Sequence, residues 1–153
     1  MNYWLLKSEP STFGIENLEQ EGQSLWDGVR NYQARNFLKQ MQPSDLAFFY
    51  HSNIDIPGIV GLARIVQSNV IDPTQFNPES KYFDPRASKE APRWHTVVVK
   101  FETKFPQTLS LERLKKLFSP EELMLVRKGN RLSVLPLSLS VAQRLVNLCS
   151  NDA

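Results

Sequence analysis

Two apolar runs, Leu46 to Tyr50 and Gly58 to Val66, fix the centre of any fold this chain can adopt. Both are short and rich in aromatic or β-branched residues, which suits a strand buried on a sheet. The loop Ser52–Pro57 separates them. Tyr3 to Lys7 reads as a third short strand. It stops at Ser8-Glu9-Pro10, because Pro10 lacks a backbone donor and holds Glu9 extended. Leu25 to Val29 reads as a strand end or turn. From Arg93 to Phe105, Trp94, Thr96, Val98, Lys100 and Glu102 alternate with His95, Val97, Val99 and Phe101, the period of a strand. Leu132 to Leu135 is a further strand, closed by Pro136.

The helical signals between these runs are brief. Ile15 to Gln20 reads as one helix, stopped near Gly22. Asn31 to Met41 is the clearest: Ala34, Phe37, Leu38 and Met41 share a face, Asn31 is placed to cap it, and Pro43 lies just beyond. Ser110 to Leu117 is another. Ser119-Pro120-Glu121-Glu122 has the form of a capping box with proline at the first helical position, predicting a helix that ends near Gly129. Ser140 to Leu148 closes the chain, with Val141, Leu145 and Leu148 at helical spacing. Strands and helices do not alternate regularly, which argues against a doubly wound parallel sheet. The pattern points to an α+β fold, a compact mixed β-barrel of five to six strands with short helices inserted around it. Asp72 to Pro92, with four prolines, is expected to be a long surface excursion, and excursions of that length are often functional.

The length of 153 residues suits one domain over 1–153, and 41% apolar with 22% charged residues suits a globular chain. No stretch approaches the roughly 20 apolar residues that cross a bilayer. The opening Met1 to Ser11 is not expected to act as a secretion signal, so a cytoplasmic protein is expected, or a nuclear one by diffusion in a eukaryote. A monomer with no membrane partner is the simplest reading. Cys149 alone cannot form an internal disulfide and is expected to be a packing residue. With only His51, His95 and that one thiol, no zinc-ligand spacing exists. There is no glycine-rich phosphate loop and no nucleophile elbow. The expectation is therefore no catalytic residue, no metal and no cofactor. Two rivals stand beside it: an RNA-modifying or nucleolytic enzyme whose turnover needs His51 or Asp27, and a module that binds a protein or small ligand. The net charge of +2 says little about partners. Its distribution says more: residues 1–60 carry a net −3 and residues 61–153 a net +5, enough for one positive face.

Four segments join polar, aromatic and glycine residues at sharp turns. They are Lys7-Ser8-Glu9-Pro10, Trp26 to Arg35, Tyr50-His51-Ser52-Asn53, and Arg131-Leu132-Ser133-Val134. In the second, Gly28 lets backbone approach a ligand closely, and Arg30 and Asn31 sit where a helix begins and backbone donors are exposed. Trp26 or Tyr32 offers a flat face for a base, and Arg35 lies one turn after Asn31. Pro92-Arg93-Trp94 opens its strand in similar style. Together they describe a pocket rim made of strand ends, with arginines for phosphate and rings for bases.

At these same residues the chain resembles the EVE-domain family, essentially end to end. The motifs are YWLLKSEP (3–10), WDGVRNYQARNF (26–37), FFYHSN (48–53), PGIVGLA (57–63), DPTQF (72–76), KYFDP (81–85), PRW (92–94) and RLSVLP (131–136). Ser44-Asp45 stands where the family usually has Gly-Asp. The resemblance implies a PUA-like barrel and a partner that is DNA or RNA carrying a modified or extruded base, with 5-methylcytosine and its oxidised forms as the ligands. Carried over by position, the base pocket is expected from Lys7, Ser8, Trp26, Gly28, Val29, Asn31, Tyr32, His51, Ser52 and Ser133. Phosphate contacts are expected from Arg30, Arg35, Arg93 and Arg131.

Overall fold

The computed structural model describes residues 1–151; the last two residues of the expected 1–153 domain lie outside the described residues. The strands are β1 (Tyr3–Ser8), β2 (Gln23–Leu25), β3 (Leu46–His51), β4 (Gly58–Ile71), β5 (His95–Ser110) and β6 (Val134–Leu137). The helices are α1 (Ile15–Glu21), α2 (Tyr32–Gln40), α3 (Leu111–Leu117) and α4 (Leu139–Asn151). The fold is α+β, built on one six-stranded sheet in the order β2-β5-β4-β3-β1-β6. β1 runs parallel to β3 and every other pairing is antiparallel, so the sheet is mixed.

Alternation along the strands buries both faces of the sheet. Leu5, Phe48, Tyr50 and Leu62 enter one core with Leu114, Val141 and Leu145 from α3 and α4. Their neighbours Trp4, Leu6, Ala47, Phe49 and Ala63 enter another with Leu18, Ala34 and Leu38 from α1 and α2. Cys149 is buried in the first core. Asn31 caps α2 as the sequence indicates, its side-chain oxygen accepting from the Ala34 amide at 2.9 Å.

Four expectations change. β2 pairs with β5, so of the two readings at Leu25 the strand end holds, and the strand starts earlier, at Gln23. β4 runs on to Ile71, past Val66, by pairing its half-exposed end with the start of β5 across register shifts. β5 begins at His95: the Arg93 and Trp94 amides donate to Gln75 Oε1 at 2.9 and 3.0 Å and leave the ladder. The capping box at Ser119 forms, its amide donating to Glu122 Oε1 at 2.9 Å, yet no α-helix follows. Leu123, Leu125 and Val126 are all buried, and a helix would point them around its circumference, so the chain takes an extended step and a short 3-10 turn at Met124–Val126.

Candidate nucleic-acid interface

A cavity of about 560 Å³ opens where β1 ends. It is bordered by Lys7 and Ser8 of β1, by Ser133 just before β6, and by Ser24 and Leu25 of β2. Since β2 and β6 are the opposite edges of the sheet, the sheet must curl until both face one hollow, as an incompletely closed barrel does. Trp26, Gly28, Val29, Arg30 and Asn31 complete that side.

The opposite wall is the 72–94 excursion, which is tied down by buried polar groups. Asp72 is 1% exposed and accepts from the Gly28 amide at 2.9 Å, from the Thr74 amide at 2.8 Å and hydroxyl at 2.6 Å, and from Arg30 Nη1 at 3.1 Å. Burial pushes its carboxyl up. The Thr74 hydroxyl, the Gly28 and Thr74 amides and Arg30 more than offset this, so it lies below the ordinary carboxylate range. Gly28 has φ +85°, and a Cβ there would sit 2.6 Å from the Tyr82 ring. The glycine thus serves close contact within the protein, bringing Tyr82 to the cavity. Gln75, fully buried, donates to the Asp72 and Trp94 carbonyls at 2.7 and 2.9 Å.

Of the expected pocket residues, Lys7, Ser8, Trp26, Gly28, Val29, Asn31 and Ser133 line this cavity, together with Arg30. Two of them play a different part from the one expected. Trp26 is only 7% exposed and stands T-shaped to Phe49 at 5.4 Å, so it is the floor of the site and not an open stacking face. Arg30 donates to the Tyr82 and Val29 carbonyls, to Asp72 and to the Thr74 hydroxyl. Four of its five N–H donors are therefore committed inside the protein, which leaves one free for any other partner.

Six expected residues do not border the cavity. His51 Nε2 accepts from the Ile15 amide at 3.1 Å, and burial pushes its pKa down, which keeps the imidazole neutral for that bond. Ser52 donates its amide to the Ser8 carbonyl at 3.0 Å and is not part of the lining. Tyr32 stacks on Trp94 at 4.9 Å, on the outer side of the excursion. Arg35 lies 4.8 Å from the Tyr32 ring and donates to the Arg93 carbonyl at 2.9 Å. Arg93 pairs with Asp84 at 3.2 Å and donates to the Tyr32 hydroxyl. Arg131 is exposed and also outside the lining. Arg35, Arg93, Tyr32 and Trp94 thus form a separate cation–π stack.

The EVE domain profile matches residues 2–148. The chain belongs to the EVE-domain family. Mouse thymocyte nuclear protein 1 is 42% identical over 90% of this chain and 69% of its own length. A crystal structure of a Pseudomonas putida protein is 48% identical with a TM-score of 0.92, covering 95% of this chain and 98% of the other. The human THYN1 protein, solved in complex with DNA containing 5-methylcytosine, is 36% identical with a TM-score of 0.90, covering 97% of each chain. The curled mixed sheet is the PUA-like architecture these proteins share.

In this EVE domain the cavity also takes Glu9 and Asp27 from the segments singled out in the sequence, and residues outside them, among them Phe13, Glu21, Lys81 and Tyr82. Burial, then repulsion from Asp72, raises the Asp27 pKa. Burial alone lowers that of Lys7. Tyr82 falls within KYFDP (81–85), a motif that carries the family resemblance, and that was the available signal. Its contact with Gly28 spans 54 positions and leaves no local pattern.

Proposed function

We propose that this chain is a non-catalytic reader that takes one modified base of DNA or RNA, 5-methylcytosine or an oxidised form, into the cavity between the sheet edges. The human THYN1 complex with DNA containing 5-methylcytosine carries this reading, since that protein matches this chain over 97% of its length. A volume of about 560 Å³ lies within the roughly 300–1,000 Å³ usual for small-molecule sites. The lining offers what a lone base requires: Tyr82 and Phe13 for its faces, and the Asp27 carboxylate as acceptor for an exocyclic amine such as that of cytosine. Positive and negative side chains are mixed in the lining, which suits the polar edge of a base better than a phosphate.

Extrusion of a paired base costs a few kcal/mol and stacking returns about 1–3 kcal/mol. Probes with an unpaired base should therefore bind more tightly than fully paired ones. Burying one methyl is worth about 0.8 kcal/mol, so methylation alone should change affinity by roughly fourfold. The test is a titration of DNA and RNA probes carrying cytosine, 5-methylcytosine or 5-hydroxymethylcytosine, against the natural chain, Tyr82→Ala and Asp27→Asn. Tyr82→Ala is expected to weaken binding by about tenfold, the equivalent of roughly 1.4 kcal/mol of lost stacking. Equal affinity of all three proteins for every probe rules the cavity out as the reading site. Turnover of any probe that Asp27→Asn abolishes would replace the reader with an enzyme.

A further inference from the structure

Lys7 has two sides. One borders the base cavity, and the other borders a second hollow of about 370 Å³ between β1, α3 and the turn before Arg131. The second hollow differs in charge. Lys7, Lys115, Arg127 and Lys128 line it, and none of its lining residues is Asp or Glu. The nearby carboxylates are directed elsewhere: Glu112 pairs with Lys116 at 3.6 Å and Glu122 with Arg144 at 2.7 Å. Four cations around one concavity, with no carboxylate in its lining among the described residues, cost self-repulsion that an anion would relieve.

The turn that carries two of them is fixed in place. Gly129 adopts φ +78° with open space around it. Asn130 donates to the Met124 carbonyl at 3.0 Å and accepts from the Leu132 amide at 3.1 Å, so both flanks of the turn are tied. Arg127 is anchored through Nε to the Pro120 carbonyl at 2.8 Å. Tyr50 closes the inner end, its ring 5.8 Å from Lys7 Nζ. Its hydroxyl makes no hydrogen bond among the described residues and stays a neutral donor, because burial pushes its pKa up to about 12.

We infer that this second hollow is a phosphate subsite that holds the phosphodiester backbone next to the base in the first cavity, with Lys7 as the shared post between them. The inference rests on the base-reader reading for its nucleic-acid partner. It also moves the phosphate contacts away from Arg30, Arg35 and Arg93, whose guanidinium groups are engaged within the protein.

The probe that isolates this subsite is a short abasic strand, a sugar–phosphate chain with no bases, titrated at several salt concentrations. The natural chain is expected to bind it with a steep salt dependence. The double variant Lys115→Gln/Lys128→Gln, two exposed residues whose loss should leave the melting temperature unchanged, is expected to bind more weakly, with a slope flatter by about 1.4 for two lost contacts at roughly 0.7 each. It should weaken methylated and plain cytosine probes by the same factor. An unchanged slope in the double variant overturns the inference, as does saturation by inorganic pyrophosphate with no binding of the abasic strand. Failure of the base reading looks different: the abasic strand still binds through the lysines, but no probe gains from its base.

Discussion

Two buried aspartates, Asp45 beside the start of β1 and Asp72 behind the cavity wall, hold the chain in different ways. Asp45, 2% exposed, accepts from the Asn2 amide at 2.9 Å, the Trp4 indole at 3.0 Å and the Gln42 amide at 3.0 Å. All three donors are neutral. Asp72 also accepts from neutral donors but is paired with Arg30 as well. The first carboxylate closes the turn at Gln42 and ties it to the start of β1. The second joins the 26–31 segment to the 72–94 excursion and so sets the distance across the candidate site. Both carboxylates join segments more than 40 positions apart: a charged pair is used where the segments face each other across a hollow, and neutral hydrogen bonds suffice where they pack directly.

Replacing each aspartate tests that contrast. Asp72→Ala leaves the Arg30 guanidinium partly buried without its anion, and breaking such a pair costs about 3 kcal/mol, the low end of the usual range because Arg30 retains some contact with water. Asp45→Ala leaves the Trp4 indole as the one deeply buried orphan, while water can reach the Asn2 and Gln42 amides, so about 2 kcal/mol is expected. Urea unfolding measures both. Probe binding separates them: Asp72→Ala should weaken it by loosening the Tyr82 wall, whereas Asp45→Ala should leave it within about twofold, as its donors lie far from the lining. The pH dependence has a definite sign. Because the Asp72 pKa is lowered in the folded state, its contribution is fully present above the ordinary carboxylate range and is lost as pH falls through the folded value. The gap in stability between the natural chain and Asp72→Ala should accordingly narrow in acid. A gap that widens in acid would contradict the pairing.

That the two aspartates differ could not be read from the chain. Asp72 follows a long β-branched run and precedes a proline, so locally it is only a turn residue, and Arg30 lies 42 positions away. The central strands were legible as continuous apolar, β-branched and aromatic runs because both of their faces are buried, and the Arg93 strand by its two-fold alternation. The three-residue β2 was legible only at its end, because Gln23-Ser24-Leu25 is too short and polar to show a period. Asn31 was legible as a cap because capping is local. His51 carries the signs of a ligand group, but its Nε2 is occupied by the amide of Ile15, a contact across 36 positions. The site could be read where it depends on the conformation of one segment, and not where it depends on which distant segment returns to face it.

The backbone repeats the comparison on a smaller scale. Gly28 beside Asp72 and Ser44 beside Asp45 share almost the same φ, +85° and +82°. At Gly28 the space a side chain would need is filled by the Tyr82 ring at 2.6 Å. Gly28→Ala combines a left-handed backbone penalty of roughly 1 kcal/mol with displacement of that ring, for a total of about 2 kcal/mol. It should also weaken probe binding, because the cavity wall has to move. If Gly28→Ala binds and unfolds like the natural chain, the Tyr82 contact does not shape the site.

Ser44 is the converse and the smallest effect. Serine stands here at φ +82°, a backbone conformation that L residues rarely adopt. Its amide still donates to the Ile65 carbonyl at 2.8 Å, so the turn is kept in spite of the strain. Ser44→Gly removes a penalty of roughly 1–2 kcal/mol and adds back about 0.5–1 kcal/mol of chain entropy, a net gain of about 0.5 kcal/mol. For a domain of this size that raises the melting temperature by about 1–2 °C in calorimetry, with no change in probe affinity. A lower melting temperature would mean that the serine is favoured at this turn. A changed affinity would mean that the Ser44 turn and the cavity are coupled, and the separation between the aspartate at that turn and the one spanning the cavity wall would fail with it.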